Sequence, residues 1–193
     1  MRTLAVALAL SLAPGLAAAQ AAELTVDRGG ASRIQFVSDA PLETITGVSS
    51  HVTGTVHIDP EDLSSARGRV AVRVASLRTG IDLRDSHLRG DGWLDAASHP
   101  EAIFELTRLE GAARLAPNEV TRVRARGRFT IHGVTRDVVA RARLRWVPGG
   151  TLHVRASFTV RLTDHDISVP LPMRLKVANE IRVNVTVRAS RGG

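Results

Sequence analysis

The sequence predicts an all-β protein of roughly eight antiparallel strands, with one short helical segment near 82–98 set among them. Three observations carry this. Apolar and polar residues alternate with period two along most of the chain, so one side of each stretch faces a core and the other faces solvent. Turn-forming groups such as His132-Gly133 and Pro148-Gly149-Gly150 interrupt that alternation at hairpin spacing. The stretch from Ser76 to Pro100 breaks the alternation altogether. There Asp82 is placed to cap a short helix, Asp85 puts negative charge in its first turn, and Gly90 and Gly92 stop it. Asp95 is placed to cap one more turn before Pro100. Such a segment inside a β protein is suited to lie across an open barrel end.

In chain order, residues 1–19 read as a secretory signal peptide: Arg2, the apolar run Leu4 to Leu12, the break at Pro14-Gly15, and Ala17-Ala18-Ala19 before the cut. The mature domain is then 20–193, and it should be periplasmic or secreted. With no cysteine in the chain, neither a disulfide nor a lipid-modified cysteine is available. An exported domain of this length must be held by its core.

Glu23 to Asp27 is a short strand, followed by a turn at Gly29-Gly30. Ile34, Phe36 and Ser38 share a strand face, and Pro41 ends it. Leu42 to Ile45 is a further extended piece, with a turn or bulge at Gly47, Ser49 and Ser50. Val52, Gly54, Val56 and Ile58 alternate with threonine and histidine, and Pro60 to Leu63 is loop. Val70, Val72 and Val74 continue the pattern up to the helical segment, and Ile103 to Leu106 resumes it. Three further strands follow over Arg122–Ile131, Val138–Trp146 and Leu152–Val160, and a last one over Ile181–Arg188. Each has an apolar face and a face rich in arginine. Thr163 to Ala178, with Pro170 and Pro172, reads as a surface loop.

Strands of this number close into a barrel or pack as a sandwich. Small residues on the inner faces (Gly54, Ala125, Gly127, Ala140, Ala142, Ala156) leave room for a cavity. The bulky Phe36, Phe104, Phe129, Trp146 and Phe158 could equally fill it. If a ligand is held, the inward positions Val72, Val74, Trp93, Phe104, Phe129, Val138, Leu144, Trp146, Val154, Phe158 and Val185 are its expected contacts.

Other chemistries find little support. His51 and His57 share strand parity but stand about 20 Å apart along a strand, too far for one ion. Asp164-His165-Asp166 alternate in direction, and a metal needs three or four convergent ligands. Asp85 and His87 lie near serines, yet no Gly-x-Ser-x-Gly elbow and no glycine-rich phosphate loop occurs. Neither a catalytic nor a metal site is expected, and no cofactor. The formal charge of +7 is almost wholly arginine. The arginine rows are a solvated outer face that could also meet an anionic membrane surface. Export argues against nucleic acid.

The motifs together resemble the YceI-like family. Ser76-Leu77-Arg78-Thr79-Gly80, Arg84-Asp85-Ser86-His87-Leu88-Arg89, Trp93-Leu94-Asp95 and His99-Pro100-Glu101-Ala102-Ile103-Phe104 follow its signature in order. So do Gly127-Arg128-Phe129-Thr130-Ile131-His132-Gly133-Val134-Thr135-Arg136 and Asp164-His165-Asp166-Ile167. Two departures stand out: Phe36-Val37-Ser38-Asp39 where many members have a histidine, and Trp93 in place of a phenylalanine. The resemblance implies an eight-stranded antiparallel lipocalin-like barrel that binds a polyisoprenoid or similar long-chain lipid in an elongated apolar cavity and is not an enzyme. Partners to expect are a lipid ligand, the membrane surface and a second copy of the chain as a homodimer. The competing reading is a filled-core β interaction module, stress-related or partnering a membrane protein, with no bound lipid.

Overall fold

The computed structural model describes residues 21–27 and 30–192. The leader expected over 1–19 lies outside the described residues, as does Gly29 of the first expected turn. Ten strands form one antiparallel sheet: β1 (Ala22–Val26), β2 (Arg33–Asp39), β3 (Thr44–Ser49), β4 (Val52–Asp59), β5 (Asp62–Arg73), β6 (Glu101–Glu110), β7 (Val120–Ile131), β8 (Val134–Val147), β9 (Thr151–Arg161) and β10 (Glu180–Ser190). One α-helix, α1 (Asp82–Arg89), joins β5 to β6.

Eight strands close a ring in the order β1-β4-β5-β6-β7-β8-β9-β10, because β10 pairs with β1 as well as with β9. This is the barrel the sequence led to expect. The remaining two strands form a hairpin on the free part of the β10 edge. β1 reaches only Ala189 and Ser190, whereas β2 pairs with Ile181 to Thr186. The outer edge of β3 is not left open, since Val48 exchanges backbone hydrogen bonds of 2.8 and 3.0 Å with Arg78.

The ring fixes two unlike ends. At one, the β6–β7 loop is drawn across: the Leu63 N–H donates to Ala113 O, the Leu115 N–H to Pro60 O, and the Asn118 N–H to Trp146 O. Leu63 and Leu115 are fully buried beneath it. At the other end lie α1, the β2–β3 turn, the His132-Gly133 hairpin and the long link from β9 to β10.

Several local expectations change. Pro60 and Glu61 alone make the β4–β5 turn, so β5 begins at Asp62 where a loop was expected. Gly47 lies inside β3, not in a turn. The Phe36 ring covers it from the paired strand, and a Cβ there would strike the ring. Val74 leaves the strand: it opens a 3-10 turn, and its N–H donates to Pro100 O at 2.9 Å. In the Thr163–Ala178 link, His165, Ile167 and Val169 are buried, so this is a segment folded into the barrel end and not simply a surface loop.

Candidate functional site

A cavity of about 540 Å³ runs through the barrel, within the size range of small-molecule sites. It exists because the register stacks small residues. Ala125 lies opposite Ala140, and Ala142 opposite Ala156, so one wall across β7, β8 and β9 is surfaced by methyl groups. Gly54 and Gly127 do not contribute. Gly54 lets β4 approach the Arg69 carbonyl of β5, and Gly127 is covered by the Phe104 ring.

Of the residues expected inside, Val72, Trp93, Phe104, Phe129, Leu144, Val154, Phe158 and Val185 line the cavity. The aromatic rings do not fill it. Phe158 packs against Phe104 and edge-on to Phe129, with centroids 5.9 and 5.2 Å apart, as one cluster on one side. Three expected positions fall elsewhere. Val74 is buried in the turn after β5. Trp146 stands at the sealed end, bridged to Pro117. Val138 lines a small separate depression with Arg136, Asp137, Arg161, Asp164 and Glu180. There β8 splays from β9, whose pairing with it starts only at Arg141 and Ser157. His165 spans the resulting gap: its Nδ1 lies 2.9 Å from Val134 O, and since a carbonyl only accepts, Nδ1 carries the proton. The same ring meets Phe129 edge-on and lines the cavity.

Polar side chains of the lining gather at the α1 end. They are Ser38, Glu43, Thr79, Arg84, His87 and Lys176, besides His165. Arg84 of α1 reaches across to Glu43 in the β2–β3 turn at 2.6 Å. Leu88, Trp93 and Leu94 turn toward the barrel, and Ile81 and Leu83 join them at the rim. Sequence reasoning missed Glu43, Met173, Lys176 and Val177. Glu43 comes from the β2–β3 turn and the other three from the β9–β10 link, where the alternation of Leu171, Met173, Leu175 and Val177 with Pro172, Arg174 and Lys176 was the signal that could have found them.

The helical plug is held by a buried carboxylate. Asp82 does not cap α1: Ile81 occupies that position, with no side-chain cap. Asp85 instead reaches back, accepting from the Thr79 N–H at 2.7 Å and from the Thr79 hydroxyl at 2.6 Å, while only 1% exposed. Burial raises its pKa, but the two Thr79 donors and the charges of Arg78 and Arg89 outweigh it and hold the carboxyl below its usual range. A depressed folded-state pKa adds stability above about pH 4 that is lost as the pH falls through the folded value. Asp85→Ala should cost about 2 kcal/mol at neutral pH. It should also flatten the acid limb of stability relative to wild type, as read by denaturant titrations at pH 7 and at a pH well below 4.

The arginine rows on the outer wall are partly neutralised. Glu110 takes Arg108 at 2.6 Å, Arg126 at 2.7 Å and Arg124 at 3.6 Å. Hydrogen bonding from Arg126 leads the effects that hold its carboxyl low. Glu105 pairs with Arg128 at 2.8 Å. Arg122, Arg143 and Arg155 stand directly opposite one another across β7, β8 and β9 and have no ion pair among the described residues. The histidines form no metal constellation among the described residues. His51 is exposed, and His57 faces Glu23 at 3.7 Å on the outer wall.

Comparison with known proteins agrees with this architecture. The profile of the YceI-like domain matches residues 24–189. A UPF0312 protein of Vibrio parahaemolyticus is 32% identical over 180 residues, spanning 87% of this chain and 86% of that protein. A UPF0312 protein of Pseudomonas fluorescens is 34% identical over 131 residues, 66% of each. Among solved structures, BcnA of Burkholderia cenocepacia superposes with a TM-score of 0.71 at 19% identity, over 82% of this chain and 96% of that one. A polyisoprenoid-binding domain from Saccharophagus degradans, implicated in plant cell wall breakdown, gives 0.71 at 17% identity, over 90% and 100%. By its matched span, its closed eight-stranded barrel and these relatives, the chain belongs to the YceI-like domain family.

Proposed function

We propose that this protein is exported and holds the hydrocarbon chain of an isoprenoid or similar long lipid inside the barrel, as a binding protein and not as an enzyme. The observation that carries this reading is the lining. From Ile58 and Leu152 in the lower barrel up to the α1 end, the wall is apolar, and its polar groups are confined to the α1 end. Such a site rewards a long apolar chain. Each buried methylene contributes about 0.8 kcal/mol, so a chain of about ten outweighs much of the freedom lost on binding. The polar end of the lipid would lie at the α1 end, beside Arg84, His87 and Lys176. The relative from Saccharophagus degradans, named for polyisoprenoid binding, supports the same reading. The leader-like residues 1–19 support export.

Native mass spectrometry of protein purified without detergent tests this directly. The expected spectrum shows a chain beginning at Gln20 with an added lipid mass, removed by organic extraction. A ligand-free protein that also fails to take up fluorescent lipid probes would overturn the reading and leave a module that acts through its surface.

A further inference from the structure

The exposed large apolar side chains are not scattered. Leu42, Ile81, Leu83, Leu171, Met173 and Leu175 all lie at the α1 end; among the described residues only Val120 and Val139 are exposed elsewhere. They come from three separate segments: the β2–β3 turn, the start of α1 and the β9–β10 link. Ile81, Leu83 and Met173 also line the cavity, so the rim and the interior are one continuous apolar surface. The Leu42 N–H donates to Leu175 O at 2.9 Å, which ties two of the segments side by side. Leu171 is 75% exposed, Leu42 68% and Leu175 55%, and none of these three lines the cavity. Single exposed leucines are ordinary, but a ring of them around an opening marks a contact surface.

The charge on the β9–β10 part of this ring indicates what it contacts; elsewhere Glu43, next to Leu42, is paired with Arg84, and Asp82 stands exposed between Ile81 and Leu83. Arg174 and Lys176 are interleaved with Met173 and Leu175, and neither has a carboxylate partner among the described residues. From Ile167 to Asn179 the link contains no acidic residue. Cations set among exposed apolar side chains match the boundary of an anionic bilayer, where hydrocarbon lies just beneath phosphate.

We infer that the rim of Leu42, Ile81, Leu83, Leu171, Met173 and Leu175 docks the protein, mouth first, on an anionic lipid bilayer. The cargo then passes between membrane and cavity without crossing water. This rests on the lipid-holding reading for its purpose, though not for its geometry. It also separates docking from the arginine wall. Arg143 lies nine residues along β8 from Val134 at the mouth, about 30 Å at strand rise. The unpaired row of Arg122, Arg143 and Arg155 therefore stands well away from a bilayer seated on the rim.

Vesicle flotation tests the inference with two variants of the full mature chain. One carries Leu42→Ser, Leu171→Ser and Leu175→Ser; the other carries Arg122→Gln, Arg143→Gln and Arg155→Gln. Vesicles are phosphatidylcholine with about 30% phosphatidylglycerol, or phosphatidylcholine alone, chosen to vary surface charge. Wild type should float with the anionic vesicles and less with the neutral ones. The leucine variant should lose about 10-fold or more in partition, and the arginine variant should stay near wild type. In vesicle-free buffer the leucine variant should bind a fluorescent fatty-acid probe like wild type, which shows that fold and cavity are intact. Wild-type protein that floats with neither vesicle overturns the inference, as does a leucine variant that floats unchanged. Loss confined to the arginine variant assigns docking to the wall and overturns it too. A leucine variant that only abolishes self-association assigns the rim to a second copy. If no form takes up the probe while flotation follows the leucines, docking stands and lipid holding fails.

Discussion

Ala142→Phe should abolish lipid uptake while leaving the protein folded. Ala142 sits mid-strand on β8, opposite Val123 on one side and Ala156 on the other, with its methyl group on the cavity wall. A benzyl group there points into space that is otherwise empty, so it meets little of the overpacking that a filled core imposes. The expected change in folding stability is within about 1–3 kcal/mol. The cavity itself is the casualty. A ring placed across its middle removes the continuous path from the α1 end to the sealed end, and a long chain loses contacts on both sides of the block. Affinity for a fluorescent long-chain probe should fall by about 100-fold or more, equivalent to about 2.7 kcal/mol. Probe titration beside a thermal melt checks both halves. A variant that melts like wild type and still binds the probe with wild-type affinity places the ligand outside the barrel.

That prediction depends on a residue whose role the sequence showed only in part. Period-two alternation assigned Ala142 to the inner face, and the same rule placed Phe104, Phe129, Leu144 and Phe158 there. Inner face and cavity wall are different things, however. Val138 has the right parity on β8, but the strand has left its neighbour β9 at that point, so its side chain serves another depression. Val74 continues the alternation of Val70 and Val72, yet the ladder ends at Arg73 and the next residue turns to meet Pro100. Alternation records which way a side chain points and not where a ladder stops, since stopping depends on a distant partner. The mouth was harder still. Glu43, Arg84 and Lys176 are far apart in the chain and meet only because the β2–β3 turn, α1 and the β9–β10 link share one end of the ring. The helical plug was legible because Ser76 to Pro100 breaks the alternation. The burial of His165 and Ile167 was masked by prolines that marked their segment as loop. Alternation of Ile167 and Val169 with Asp166 and Ser168 was the signal for it.

The glycines give the sharpest separation of room from necessity. Small inner residues look alike in sequence, but Gly54 differs from the alanines of the wall. Its φ is +154°, and a Cβ built there would fall inside the contact distance of the Arg69 carbonyl oxygen and lie 3.0 Å from Val70 Cα. The obstacle is the backbone of a paired strand, which cannot rotate away as a side chain would. Gly54→Ala must therefore push β4 from β5 or break the ladder where Gly54 faces Val70. Overpacking and the backbone conformation each cost about 1–3 kcal/mol, so a combined loss of roughly 3–5 kcal/mol is expected, a large share of the 5–15 kcal/mol typical of a domain. Gly92→Ala is the matched control: it lies beyond α1 with nothing within 4 Å of the added methyl. There the smaller freedom of the unfolded chain should make the substitution neutral or stabilising by about 0.4–1 kcal/mol. Denaturant titrations of the two variants should diverge by several kcal/mol. Equal midpoints would mean that β4 and β5 do not approach at Gly54 as closely as the pairing requires, and the cavity wall they share would have to be redrawn.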